Sequence, residues 1–275
     1  VNGFGMSLTI INDSAIGFGL IALGRSSSLM NEAMERLSTG KRINKASDDP
    51  AGIHQVMRLN AEIQGIETAS KNAADGQSLI DTLETSLSEV QSILLRMREL
   101  TIQAISDTNS AADRLALDSE LSQLELEITR IGSTTSFGGK PVFDGNLHYL
   151  QIGPRSGNTL EVQAYTLSAS TLGLTQDLTT RNNAENYLGI IDTAIEDINE
   201  KRGAAGALSN RLDFIMSNLD NSKVNLIKSR STIEDADFAA ESMKLAKAKI
   251  LEQVAIAMIA QANARTQWIL KLLEN

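Results

Sequence analysis

Ile80, Leu83, Leu87, Val90, Leu94 and Met97 are separated alternately by three and four residues. That spacing places all six on one narrow face of an α-helix, a face that stays hydrophobic only if another helix covers it. Two further stretches offer that cover. Leu117, Leu121, Leu124, Ile128 and Ile131 repeat the alternation behind Ser110 and Asp113, which are spaced as a reciprocal helix cap. From Leu188 the pattern returns through Ile191, Ile195, Ile198, Ala205, Leu212, Ile215, Leu219 and Leu226, and this third helix is expected to be the longest. Aromatic residues make up 4% of the 275 residues and there are three prolines, which suits elongated helices packed through aliphatic seams.

The two chain ends carry apolar helical patterns of their own. "AIGFGLIAL", Ala15 to Leu23, is far shorter than the ~20 residues that cross a bilayer, so membrane insertion is not expected. No Lys or Arg precedes it, which argues against a cleaved signal. Leu29, Met30, Ala33, Met34 and Leu37 continue one helical face as far as Gly40, a residue suited to the left-handed conformation that ends a helix. At the other end, Ala239 to Leu273 is Ala- and Gln-rich, with Met243, Ile250, Val254 and Met258 on one stripe. Neither stripe can bury itself, so the two ends are expected to pair, with Ile16, Leu20, Leu23, Ile250, Val254 and Met258 as packing residues. An isolated pair of apolar helices would still expose a long patch, which points to copies of the chain joining one another.

The stretch "RLSTGKRINKASDDPAGI" compresses a helix end, a polar turn and a helix start into Arg36 to Ile53. Asp49 reads as an N-cap and Pro50 as the first helical residue, where no amide hydrogen is needed. The turn between has no apolar cluster, so its shape is expected to be held from outside. Further along, the period changes from helical to alternating. "LHYLQIG" and "TLEVQAY" flank the turn-rich "PRSGN", and "TSFGGKPVFDGN" carries glycine turns, so a small β-hairpin region is expected.

Little in the chain offers chemistry. His54 and His148 have no second His or carboxylate at ligand or relay spacing, and the nucleotide, zinc-protease and serine-hydrolase motifs are absent. Asp48 and Asp49, and Glu234, Asp235 and Asp237, read as helix-end caps rather than acid–base pairs or Ca²⁺ ligands. A net charge of -9 argues against nucleic acid as a partner, and zero Cys excludes disulfides. Neither a metal, a cofactor nor catalysis is expected. The aromatics Phe137, Phe143, Tyr149 and Tyr165 are candidates for a glycan-binding groove, and are better read as hairpin core.

The motifs themselves are familiar. "RLSTGKRINKASDDPAG", "NAADGQSLIDTLETSLSEVQSILLRMRELTIQA", "TSFGGKPVFDG", "SRSTIEDADFAAE" and "AKILEQ" followed by "AQAN" resemble, in order, the signatures of bacterial flagellins. The resemblance covers most of Ser7 to Asn263 and leaves Ser156 to Asn183 without a distinctive match, as in a short form lacking the large variable outer domains. Two stretches depart from the pattern. "AIGFGLIALGRSS" is more apolar than the family's Asn- and Gln-rich run, and "ARTQWILKLLEN" lacks the proline usual after the AQAN motif.

The resemblance implies a mainly α fold: long antiparallel coiled-coil helices forming a rod, paired terminal helices (1–50 and 234–275), and a body over 51–233 with a β-hairpin region at about 137–180. It implies a structural subunit, not an enzyme, that leaves the cell through the flagellar type III apparatus and self-assembles outside it into the flagellar filament for motility. Its partners would be further copies, an export chaperone, the filament cap and the hook-junction proteins. By the same resemblance Arg36, Leu37, Gly40, Arg42, Ile43, Asp48, Asp49 and Pro50 form a spoke between an inner and an outer tube, where neighbouring subunits supply the missing contacts. "LLRMREL" matches a segment sensed by a toll-like immune receptor, with Arg96, Arg98, Glu99 and Leu100 as contact candidates. The alternatives are a hook–filament junction protein and a flagellin homologue that binds a surface polysaccharide or receptor.

Overall fold

The structure, a computed structural model, describes residues 3–175 and 177–273. It contains five helices, α1 (Gly3–Thr39), α2 (Pro50–Ile105), α3 (Ala111–Thr134), α4 (Arg181–Glu234) and α5 (Phe238–Leu273). Between α3 and α4 lie two antiparallel hairpins, β1 (Ser136–Phe137) with β2 (Lys140–Pro141), and β3 (Leu147–Gln151) with β4 (Thr159–Gln163). The mainly α class and the small β region follow the sequence reading. At 56 residues α2 is two longer than the 54 of α4, so the third seam-bearing helix is not the longest. The apolar run from Ala15 and the face ending at Leu37 belong to one unbroken helix.

The chain divides into two compact units, one made of 1–60 and 226–275, the other of 61–225. In the second unit α2 and α4 run antiparallel. Moving up α2, Glu67, Gln77, Glu84, Gln91 and Arg98 pair in turn with Lys223, Ser209, Arg202, Asn199 and Asp192 of α4. Beneath these polar rungs Ile80, Leu83, Leu87, Val90, Leu94 and Met97 are all buried, together with Leu121, Ile128 and Ile131 of α3. The α4 seam is Ala184, Tyr187, Ile191, Ala194, Ile198, Ala205, Leu212 and Leu219, so at two positions the buried residue stands one place before the expected Leu188 and Ile195. The aliphatic character of Leu188 and Ile195 hides that one-residue offset in the sequence.

Ser110 caps α3 as its spacing predicts. Its Oγ accepts from the Asp113 amide at 3.2 Å and Asp113 accepts from the Ser110 amide at 2.9 Å. In the larger hairpin Leu160 and Val162 face the core while Thr159, Glu161 and Gln163 face out, the period of a half-buried strand. Gly138 and Gly139 both have positive φ, +57° and +79°, which lets two residues reverse the chain between β1 and β2. At Gly132 the outer side of α3 lies so close to the chain that a Cβ would stand 1.9 Å from the Leu167 carbonyl oxygen.

Candidate assembly site

The turn between α1 and α2 is held by its own chain. Gly40, at φ +71°, ends α1, and its carbonyl accepts from the Ala236 amide at 2.9 Å. The Arg42 amide donates to the Glu234 carbonyl at 2.6 Å, and the Arg42 guanidinium to the Ile233 carbonyl at 2.7 Å. Lys41 pairs with the Glu234 carboxylate at 2.5 Å. Asp48 clasps the turn by accepting from the amides of Asn44 and Lys45 at 3.0 and 2.9 Å, and these two bonds hold its carboxyl below the usual carboxylate range. Asp49 caps α2 through the Gly52 amide at 2.9 Å, and Pro50 opens that helix.

Contacts that the turn lacks within itself are thus supplied in part by residues 233–236 of the same chain. The apolar anchor it lacked on paper is Ile43, buried against α2, where a Cβ on Gly52 would come within 2.7 Å of the Ile43 Cδ1. Arg36 ties α1 to α5 through Glu241 at 3.3 Å, and Leu37 is half-buried beside it. Asp237 caps α5 through the Ala239 amide at 2.9 Å. The acidic residues here act as caps, clasps and ion-pair partners. Sequence reasoning missed the docking of Arg42 onto the end of α4, because carbonyl acceptors leave no mark in a sequence.

The α1–α5 pair is the second part of the site. The two helices are antiparallel, with Arg36 facing Glu241 and Gly19 lying against Ile259. The residues turned inward are Ile16, Gly19, Leu23, Ser26, Met30, Ala33 and Leu37 on α1, spaced by threes and fours. On α5 they are Glu241, Leu245, Ala248, Glu252, Ala255, Ile259 and Ala262, spaced likewise. On this heptad seam the most deeply buried positions, Glu241 apart, are the small residues Ser26, Ala33, Ala248 and Ala255, and small residues let helix backbones approach closely. A Cβ on Gly19 would meet Ile259 at 2.6 Å.

Many of the larger apolar residues face outward instead. Of the six packing candidates, Ile16 and Leu23 are half-buried on the seam, whereas Leu20, Ile250, Val254 and Met258 are exposed. Phe18, Ile21, Leu29, Leu251, Ile256 and Trp268 join them at the surface. An apolar stripe read from sequence does not say which partner covers it, and here a seam of small and half-buried larger residues, overlapping that stripe only at Ile16 and Leu23, takes the intramolecular role. Between the helices a cleft of about 610 Å³ is lined by Phe18, Ala22, Leu29, Leu251, Val254 and Met258, with Arg25 and Lys247 at its edge.

The candidate receptor segment is divided by the fold. Leu100 is 1% exposed and packs inside the bundle, which removes it from the surface. Arg96 pairs with Glu120 and Glu99, and Arg98 with Asp192, all near the surface. The four hairpin aromatics do not form a common platform either. Phe143 is buried, Phe137 packs against the core, Tyr165 lies under the Lys201 ammonium, and Tyr149 alone is open to solvent. His54 is exposed on α2. Contrary to its isolated appearance in the sequence, His148 Nε2 lies 3.4 Å from Asp144, without hydrogen-bond geometry. Among the described residues no cluster of three or more such side chains could hold a metal ion, and no helix is long and apolar enough to cross a membrane.

The chain is similar to known proteins over both helical ends. Residues 21–148 match the bacterial flagellin N-terminal helical region and residues 188–273 the C-terminal helical region. A flagellin of Halalkalibacterium halodurans is 41% identical over 88% of this chain and 91% of its own length. A flagellin of Bacillus subtilis is 35% identical over 91% and 95%. Among solved structures, Bacillus cereus flagellin aligns with TM-score 0.50 at 35% identity over 54% of this chain and 88% of that one. A putative flagellar hook-associated protein of Vibrio parahaemolyticus aligns with TM-score 0.59 over 68% of this chain and all of that one, a likeness of fold alone at 17% identity. Both terminal helical regions, in order and over most of the chain, place this protein in the bacterial flagellin family.

Proposed function

We propose that this flagellin joins its neighbours through the outward apolar faces of α1 and α5, while the turn at Gly40 to Pro50 arrives already shaped. The chain is a structural subunit of the bacterial flagellar filament, which assembles from many copies outside the cell and serves motility. The observation that carries the proposal is the row of large apolar residues left exposed on both terminal helices, Phe18, Leu20, Ile21 and Leu29 on α1 and Ile250, Leu251, Val254 and Met258 on α5. A soluble monomer rarely leaves so much contiguous apolar surface open.

On this reading the chain has no catalytic role. Family membership also supports export through the flagellar type III apparatus, with an export chaperone, the filament cap and hook-junction proteins as partners. Recognition by a toll-like receptor would rest on Arg96, Arg98 and Glu99, with Leu100 supporting them from inside. The test is seeded polymerisation followed by sedimentation. Ile250→Asp and Met258→Asp should leave the circular dichroism of the monomer unchanged and keep the protein in the supernatant. Filament growth by both variants at the rate of the original chain would refute the proposal.

A further inference from the structure

The single tryptophan of the chain, Trp268, is 72% exposed near the end of α5. Counted at 3.6 residues per turn, it falls on the side of α5 opposite the seam with α1, and its Cα lies ~9 Å along the helix past Ala262, the last α5 residue lining the cleft. Met258, in the body of the cleft, lies ten residues before Trp268, ~15 Å along the helix and further than the indole reaches. That cleft is within the size range that encloses a small ring system, has an apolar floor, and carries two cations at its edge. Neither Arg25 nor Lys247 makes an ion pair among the described residues. Cations beside an apolar slot suit the electron-rich face of an indole.

A filament imposes a further condition. Open helical assemblies grow by heterologous contacts, in which a projecting group on one copy enters a recess located elsewhere on the next. The terminal unit supplies one of each. We propose that Trp268 of one copy inserts into the α1–α5 cleft of a second copy, between Phe18 and Leu29 on one side and Leu251, Val254 and Met258 on the other, with Arg25 and Lys247 over the ring. The inference rests on the filament reading and names a particular residue pairing within it. Tryptophan held in a desolvated pocket is a frequent energetic centre of protein interfaces.

Because the chain has one tryptophan, its emission reports the contact directly. Full-length protein is polymerised on seeds and the emission compared with that of the monomer. Burial predicts a blue shift and reduced quenching by acrylamide in the pelleted filaments. Trp268→Ala should raise the critical concentration at least about tenfold, Trp268→Phe should restore much of the loss, and Ala22→Trp, which fills the cleft from within, should match Trp268→Ala. Filaments whose tryptophan still emits and quenches as in the monomer would overturn the inference while leaving the filament reading intact. Normal growth by Ala22→Trp would remove the cleft as the recess. Failure of the unmodified chain to polymerise on seeds would overturn the filament reading and this inference with it.

Discussion

In the 61–225 unit the inward positions are Leu87, Leu94, Met97, Tyr187, Ile191 and Leu212, and polar rungs cover them. In the α1–α5 pair the most deeply buried inward positions, Glu241 apart, are Ser26, Ala33, Ala248 and Ala255; Ile16, Leu23, Met30, Leu37, Leu245 and Ile259 are only half-buried there, and Leu20, Leu29, Ile250, Leu251, Val254 and Met258 stand outside. Both regions use the same spacing of threes and fours, so periodicity alone does not tell them apart. Side-chain volume does. A seam of large residues hides enough apolar surface to hold a domain, at roughly 25 cal/mol per Å² removed from water. A seam in which small residues are the deeply buried ones brings two helices together and leaves much of their apolar surface for something else.

The sharpest way to break this contrast is to cut the same kind of residue from each region. Leu94→Ala, at a fully buried position, should cost about 2–5 kcal/mol of unfolding free energy in urea denaturation. Val254→Ala, at an exposed position of α5, should change monomer stability by less than ~0.5 kcal/mol and appear only in filament assembly. Equal effects on the monomer would erase the distinction. Gly132→Ala comes next, since a Cβ there would collide with the Leu167 carbonyl and force α3 off the chain it packs against, for about 1–3 kcal/mol. The turn between α1 and α2 should respond more weakly: loss of the Asp49 cap in Asp49→Ala should cost ~1 kcal/mol, read by the same denaturation.

The smallest effect is one of pH. Tyr187, wholly buried, donates to Glu125 Oε1 at 2.5 Å. Desolvation raises the Glu125 pKa, the Tyr187 hydroxyl opposes that rise, and the nearby Asp118 charge adds to it. The folded form thus holds the Glu125 proton more tightly than the unfolded chain does. Its contribution to stability is complete below the unfolded carboxylate pKa of ~4.3 and is lost as pH rises through the folded value. Glu125→Gln keeps an acceptor for Tyr187 without the charge, so it should stabilise the bundle at neutral pH and lose that advantage in acid. Denaturation at several pH values reads the difference, and a gain that persists unchanged in acid would contradict the assignment.

How far the sequence carries can be seen residue by residue. The α2 seam was legible in full, because six aliphatic residues at alternating spacing admit one helical face and every one is buried. The Ser110–Asp113 cap and the larger hairpin were legible for the same local reason. The spoke residues were found, but not how they are held, since Arg42 reaches carbonyls almost two hundred positions away. Of the six terminal packing candidates, Ile16 and Leu23 lie on the seam and the other four lie outside it. Leu20 and Met258 look like core residues in any window, and only the position of the partner helix turns them outward.

The central claim is that assembly requires the outward faces of the terminal helices. It is tested by comparing the full chain with one lacking residues 239–275, each incubated with short filament seeds and inspected by negative-stain electron microscopy. The account predicts long uniform tubes from the full chain, and from the shortened one a soluble monomer with a folded helical body that adds to no seed. Filaments of normal appearance grown from the shortened chain would contradict it.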